Sequence, residues 1–222
     1  AYANRDSLKY RSLYRLENIP TLLRGTLRKA GYCAAWDVFV QLGCTDDSFK
    51  MELGTNATWS DYMDSFLPAN KELDTRANLA TQLGLDPNGE IMAKLDWLGL
   101  FGETAIGVTG LSPAATLQTL LERKWELLPT DKDLVVMWHR FVYELNGKQH
   151  EIQANLTVEG IDDRYTAMAK TVGLPVAIAA KMILNGTIKE RGVLLPLTPS
   201  IYDPILTELE TLGVVFNEVE IS

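Results

Sequence analysis

The dipeptide Asn146-Gly147 constrains this chain more than any other feature, because it separates two long runs of strand character. Asp133 to Leu145 is rich in Val, Trp, Phe and Tyr, and Lys148 to Val158 alternates apolar and polar residues. Asn-Gly tolerates the positive φ angles of a two-residue turn, so the segment predicts a β-hairpin. Before residue 131 the patterns are mostly helical, and after the hairpin helices and short strands alternate. Helix-rich and strand-rich stretches are therefore segregated, which predicts an α+β fold. The expected arrangement is a mixed β-sheet layer with packed helices, drawn from about 1–44 and 131–222, with a mainly helical insertion at about 45–130.

Local signals place the elements. Leu22 to Leu27 is short and apolar around Arg24-Gly25, and reads as extended. From Gly31, the apolar positions Tyr32, Ala35, Trp36, Phe39, Val40 and Leu42 recur at helical spacing, and Gly43 stands where a C-cap belongs. Further helices are expected after Thr58, over Asp74 to Leu83, over Glu90 to Leu98 and over Ser112 to Leu128. In the last of these Ser112 is the N-cap and Pro113 the first helical residue. Asp86-Pro87-Asn88-Gly89 is a turn by its residue types. Beyond the hairpin, a helix is expected over Asp163 to Val172 and a second from Gly173-Leu174-Pro175. The second is apolar nearly all round, which predicts burial on more than one side, partly by something outside these residues. Gly192 to Leu197 reads as a strand, Ser200 to Leu212 as a helix closed by Gly213, and Val214 to Ile221 as a final strand.

Charge is unevenly spread. Lys and Arg total 21 and Asp and Glu 29, for a net charge of −8. The first thirty residues hold seven bases (Arg5, Lys9, Arg11, Arg15, Arg24, Arg28, Lys29) against two acids (Asp6, Glu17), a balance of 7 − 2 = +5. Guanidinium groups concentrated in one part of an acidic chain point to a site for small anions, since the planar fork donates two parallel hydrogen bonds to carboxylate or phosphate. The same arginines also fit an ordinary helix surface. The acidic remainder argues against a general nucleic-acid surface. The apolar run Gly173 to Leu184 is too short for a membrane span, and no signal-peptide pattern opens the chain. Ala1 begins inside a polar, motif-like run without an initiator Met, as in a piece of a longer polypeptide. Cys33 and Cys44 match no metal pattern and make no disulfide scaffold, so both are expected reduced and partly buried in a cytoplasmic protein. The Asn-x-Ser/Thr matches at Asn56, Asn155 and Asn185 are then chance occurrences.

Familiar enzyme signatures are few. There is no Gly-x-Gly-x-x-Gly after a strand, no phosphate loop and no nucleophile elbow. Gly99, Gly102, Gly107 and Gly110 are spaced as loop residues. His139 and His150 flank the Asn146-Gly147 turn, a placement open to a cross-strand pair, and such pairs are more often structural than catalytic or metal-binding. No metal site is expected.

The run Ala3-Asn4-Arg5-Asp6-Ser7, with Leu23-Arg24-Gly25-Thr26-Leu27-Arg28 leading into Gly31-Tyr32-Cys33, resembles saccharopine dehydrogenase of the glutamate-forming kind. Val135 to His139, Thr166 to Ala177 and Gly192 to Pro196 continue that resemblance in order along essentially the whole chain. It implies the substrate-binding, C-terminal portion of such an enzyme, with NAD or NADP bound mainly by a Rossmann domain outside these residues and none by this chain. It further implies a homodimer, saccharopine as a tricarboxylate substrate, and a place in lysine metabolism. In the family the Arg of the Asn-Arg-Asp segment and the Thr-Leu-Arg tripeptide contact saccharopine, which carries over to Arg5, Thr26, Leu27 and Arg28. Alone, the chain is expected to be inactive. Two departures bear on the pocket: Lys29 stands where relatives often have an aromatic residue, and Tyr32 where Phe is common. A related reductase joining another amine to an aldehyde, such as carboxynorspermidine synthase, and a non-catalytic dimerising or metabolite-sensing module are the alternatives.

Overall fold

The computed structural model describes residues 1–4 and 6–221. The first elements are β1 (Tyr2–Ala3), α1 (Tyr10–Leu13), β2 (Gly25–Thr26), α2 (Tyr32–Leu42), α3 (Trp59–Asp64) and α4 (Thr75–Leu83). There follow α5 (Glu90–Leu98), α6 (Pro113–Lys124), β3 (Leu134–Leu145) and β4 (Lys148–Glu159). A π-helical turn (Ala169–Gly173), α7 (Leu174–Leu184), α8 (Pro199–Thr211) and β5 (Asn217–Ile221) complete an α+β chain.

Contacts divide the chain into two compact units, Ala1–Lys9 with Asn18–Glu126, and Tyr10–Glu17 with Leu127–Ser222. The sequence grouped residues 1–44 with the sheet layer, yet 18–44 pack into the helical unit. The cause is the apolar face of α2, which buries Val38 and Phe39 among Trp59, Tyr62, Met63, Leu79, Met92 and Leu95.

In the helical unit the caps explain where the elements start and stop. Gly43 takes φ 82°, and the amides of Gly43 and Cys44 donate to the carbonyls of Val40 and Phe39, closing α2 as a Schellman turn. Thr58 and Asp61 form a reciprocal capping box on α3. Asp74 and Ser112 cap α4 and α6, and the Ser112 hydroxyl also bonds the Asp47 carboxylate. The helix over Ser112 to Leu128 is shorter than its pattern, ending at Lys124. At the centre the buried Tyr62 hydroxyl donates to the Pro113 carbonyl at 3.1 Å.

The second unit is built on the hairpin. Asn146 and Gly147 have φ of 53° and 73°, and Leu145 pairs directly with Lys148. The sheet order is β3-β4-β5, all antiparallel. One face of β4 buries Ala154, Leu156 and Val158, the latter two clustered with Ile178 and Met182 of α7 and Ile205 and Leu209 of α8.

Four expectations change here. The segment over Asp163 is not helical, because the Asp162 carboxylate accepts from the amides of Arg164 and Tyr165 and holds a local turn instead. The two helices expected on either side of Gly173 run on through the π turn. Pro175 has no N–H for the carbonyl four residues back, and the widened turn absorbs that loss. Gly192 to Leu197 is irregular, not a strand. Pro196 lacks a donor, Leu197 N–H turns back to the Leu195 carbonyl, and Val193 is fully exposed. In α7, Ile178 and Met182 are buried, while Val176, Ile183 and Leu184 are exposed, the faces that its pattern assigns to a cover outside these residues. The last strand is also shorter than its pattern, with Val214 buried before it.

Candidate functional site

The two N-terminal motifs meet through a short antiparallel pairing. Tyr2 lies opposite Thr26 and Ala3 opposite Gly25. The ladder extends to Asn4, whose amide N–H donates to the Arg24 carbonyl at 3.1 Å and whose side-chain Nδ2 donates to Thr26 Oγ1 at 3.3 Å. A Cβ at Gly25 would approach the Tyr2 carbonyl oxygen to 3.3 Å, so glycine suits this close pairing. Segments 22 residues apart are thereby placed side by side. Of the residues singled out from sequence, Thr26, Leu27 and Arg28 lie in this corner, and Arg5 lies outside the described residues.

Arg28 is exposed at this corner. Its Nη1 donates to the Leu27 carbonyl at 2.8 Å and its Nη2 to the Tyr2 hydroxyl at 3.0 Å. The guanidinium carbon lies 5.4 Å from the centre of the Tyr2 ring and 5.7 Å from that of Tyr32. Tyr32 stacks on Trp36 at 5.8 Å with the rings 8° from parallel, and Trp36 meets the buried Phe39 edge-on. Helical spacing causes this alignment: residues 32, 36 and 39 fall on one face of α2. A guanidinium fork fixed by two hydrogen bonds and two rings loses little freedom on meeting a carboxylate.

Sequence reasoning missed Tyr2. A signal was present, because Tyr2 and Asn4 are two apart on an extended segment, as are Thr26 and Arg28 on its partner. Pairing Tyr2 with Thr26 brings all four to one side.

The two histidines lie on the hairpin strands. His139 pairs with Ala154 and His150 with Tyr143, so the histidines do not oppose each other. His139 packs against Phe141 and Phe216, whereas His150 stacks on Tyr143 and contacts Glu220 at 3.1 Å. Both cysteines are free thiols, but only Cys44 is buried; Cys33 is exposed, because the buried residues of α2 are Ala35, Val38 and Phe39. Burial pushes the Cys44 thiol up to about 12. Among the described residues no group of three or more His, Cys, Asp and Glu side chains is placed to hold a metal, and no helix is long and apolar enough to cross a membrane.

The profile of the Saccharopine dehydrogenase C-terminal domain matches residues 1–214, and the chain belongs to that family. It is 36% identical over 223 residues to the mitochondrial alpha-aminoadipic semialdehyde synthase of Mus musculus, covering 97% of this chain and 24% of that protein. It is 33% identical over 219 residues to saccharopine dehydrogenase [NADP(+), L-glutamate-forming] of Pyricularia oryzae, covering 95% of this chain and 48% of the relative. The protein of the same name in Saccharomyces cerevisiae is 34% identical over 216 residues, covering 94% and 48% respectively. The chain thus spans about a quarter to about half of the length of these relatives.

Proposed function

We propose that this chain is the substrate-binding and dimer-forming portion of an oxidoreductase that interconverts saccharopine with L-glutamate and 2-aminoadipate 6-semialdehyde in lysine metabolism. The observation carrying this reading is the corner itself: Asn4 held beside Thr26, and the exposed Arg28 guanidinium held against the rings of Tyr2 and Tyr32. Saccharopine is a secondary amine bearing three carboxylates. Thr26, Leu27 and Arg28, with Arg5, would fix its orientation through forked cations, a hydroxyl and main-chain groups.

The relatives named for NADP support a nicotinamide cofactor for the whole enzyme. This chain has no glycine-rich turn between strand and helix to cradle a dinucleotide, so a further domain would hold it. A bound nicotinamide would supply hydride exchange at the carbon beside the amine. The work of this chain is to bind the carboxylates and keep that carbon in place. Support for dimerisation comes from β3, an edge strand of 12 residues with Val136, Trp138 and Val142 exposed along it.

The test is saccharopine oxidation by the intact protein, with NAD and NADP in parallel and Arg28→Ala beside the wild type. Truncating Arg28 leaves a carboxylate unpaired, a cost of about 2 kcal/mol or roughly 30-fold in the Michaelis constant. Wild-type kinetics in Arg28→Ala would overturn the reading.

A further inference from the structure

The Tyr2 hydroxyl has a role that neither motif assigns. Its oxygen accepts a hydrogen bond from Arg28 Nη2 at 3.0 Å, so its own proton is left to donate elsewhere. Tyr2 and Arg28 are both exposed here, and the Tyr2 ring also lies against the guanidinium. Register holds this geometry in place, since Tyr2 is paired with Thr26, two residues before Arg28. The Tyr32 ring also lies against the guanidinium and is itself braced by Trp36. Arg28 thus has two aromatic rings as neighbours, and the Tyr2 phenolic O–H stands next to its Nη2.

We infer that Tyr2 is a substrate-binding residue: its O–H and the Arg28 guanidinium donate to the same carboxylate, while Tyr32 is a positioning residue that holds Arg28 in its pose. The inference rests on the reading of Arg28 as a carboxylate ligand and adds the second donor. A carboxylate has lone pairs enough for both, and donors already bonded to each other pay no further reorganisation when it arrives. A Tyr O–H also sets a direction that a cation alone does not, so the pair selects a planar, two-oxygen anion at a fixed tilt.

The experiment uses the intact enzyme with saccharopine as the varied substrate. Tyr2→Phe keeps the ring and removes only the hydroxyl. It should raise the Michaelis constant on the order of tenfold with kcat within about twofold, the pattern of a lost ground-state contact. On an Arg28→Ala background the same substitution should add less than about twofold, because the two donors act as one unit. Tyr32→Phe should behave as wild type and Tyr32→Ala should raise the Michaelis constant, since stacking and not the hydroxyl is what Tyr32 contributes. Thermal melting of Tyr2→Phe should match the wild type. If Arg28→Ala weakens saccharopine and Tyr2→Phe does not, or if the two effects multiply independently, the role of Tyr2 is refuted while Arg28 stands. If Arg28→Ala itself has no effect, the underlying reading falls, and this inference with it.

Discussion

Asp133 ties the start of the long helix to the sheet, and removing its carboxylate should loosen that junction measurably. One oxygen accepts from the Ala167 amide at 2.5 Å and the other from Met168 at 2.8 Å, while the Asp133 carbonyl accepts from Gly160 N–H at 2.9 Å. Ala167 is fully buried, so its amide has no ready substitute in water. Losing an N-terminal cap costs about 1 kcal/mol, and losing the negative charge at a helix N-terminus costs a further ~0.3–1 kcal/mol. Asp133→Ala should therefore cost about 2 kcal/mol, and Asp133→Asn, which keeps one acceptor oxygen, about half of that. Native-state hydrogen exchange at Ala167 and Met168 reads the junction directly. A loss of about 2 kcal/mol corresponds to roughly 30-fold faster exchange if these amides open locally. Gly160→Ala should reach the same result by a different route. Its added Cβ would run into the Asp133 carboxylate and come within 2.9 Å of the Ala167 nitrogen. Exchange unchanged within about threefold in Asp133→Ala would refute the assignment of the cap.

Two further outcomes are expected. Because burial holds the Cys44 thiol up to about 12 while Cys33 is exposed, iodoacetamide at pH 8 should add one group to the native chain, at Cys33; peptide mapping that finds Cys44 modified without unfolding would contradict this. The Glu151 carboxyl is held down at about 2, first by the Arg140 guanidinium and then by Gln153. A depressed carboxylate stabilises above its ordinary 4.5 and loses that contribution as pH falls toward about 2, so the Arg140–Glu151 pair should break only within that window. In Arg140→Ala an NMR titration of Glu151 should move up toward 4.5, and an unmoved titration would show that Arg140 is not the cause.

Sequence reading succeeds here where the cause of structure is local. Gly43, Thr58, Asp74 and Ser112 stop or start helices through contacts within a few residues, and Asn146-Gly147 determines a register that runs the whole hairpin. That register was also enough to separate His139 from His150, since pairing 145 with 148 puts 139 opposite 154. Reading fails where a partner decides. Gly192 to Leu197 has the composition of a strand but no neighbour to pair with among the described residues. The grouping of 18–44 depends on which core the apolar face of α2 meets, which periodicity does not encode. At the candidate site, the Thr-Leu-Arg tripeptide was visible as a motif. The Tyr2 contact follows from the two-residue spacings only once the pairing across more than twenty residues is known.

The row of rings from Phe39 through Trp36 and Tyr32 to Arg28 gives the anchor of the anion corner a root in the hydrophobic interior of the helical unit. Affinity at that corner can then be tuned from behind. A smaller residue at Trp36 would let Tyr32 tilt and slacken the guanidinium while leaving every atom that meets the ligand chemically intact, so variation in packing alone can retune how tightly the corner grips its anion.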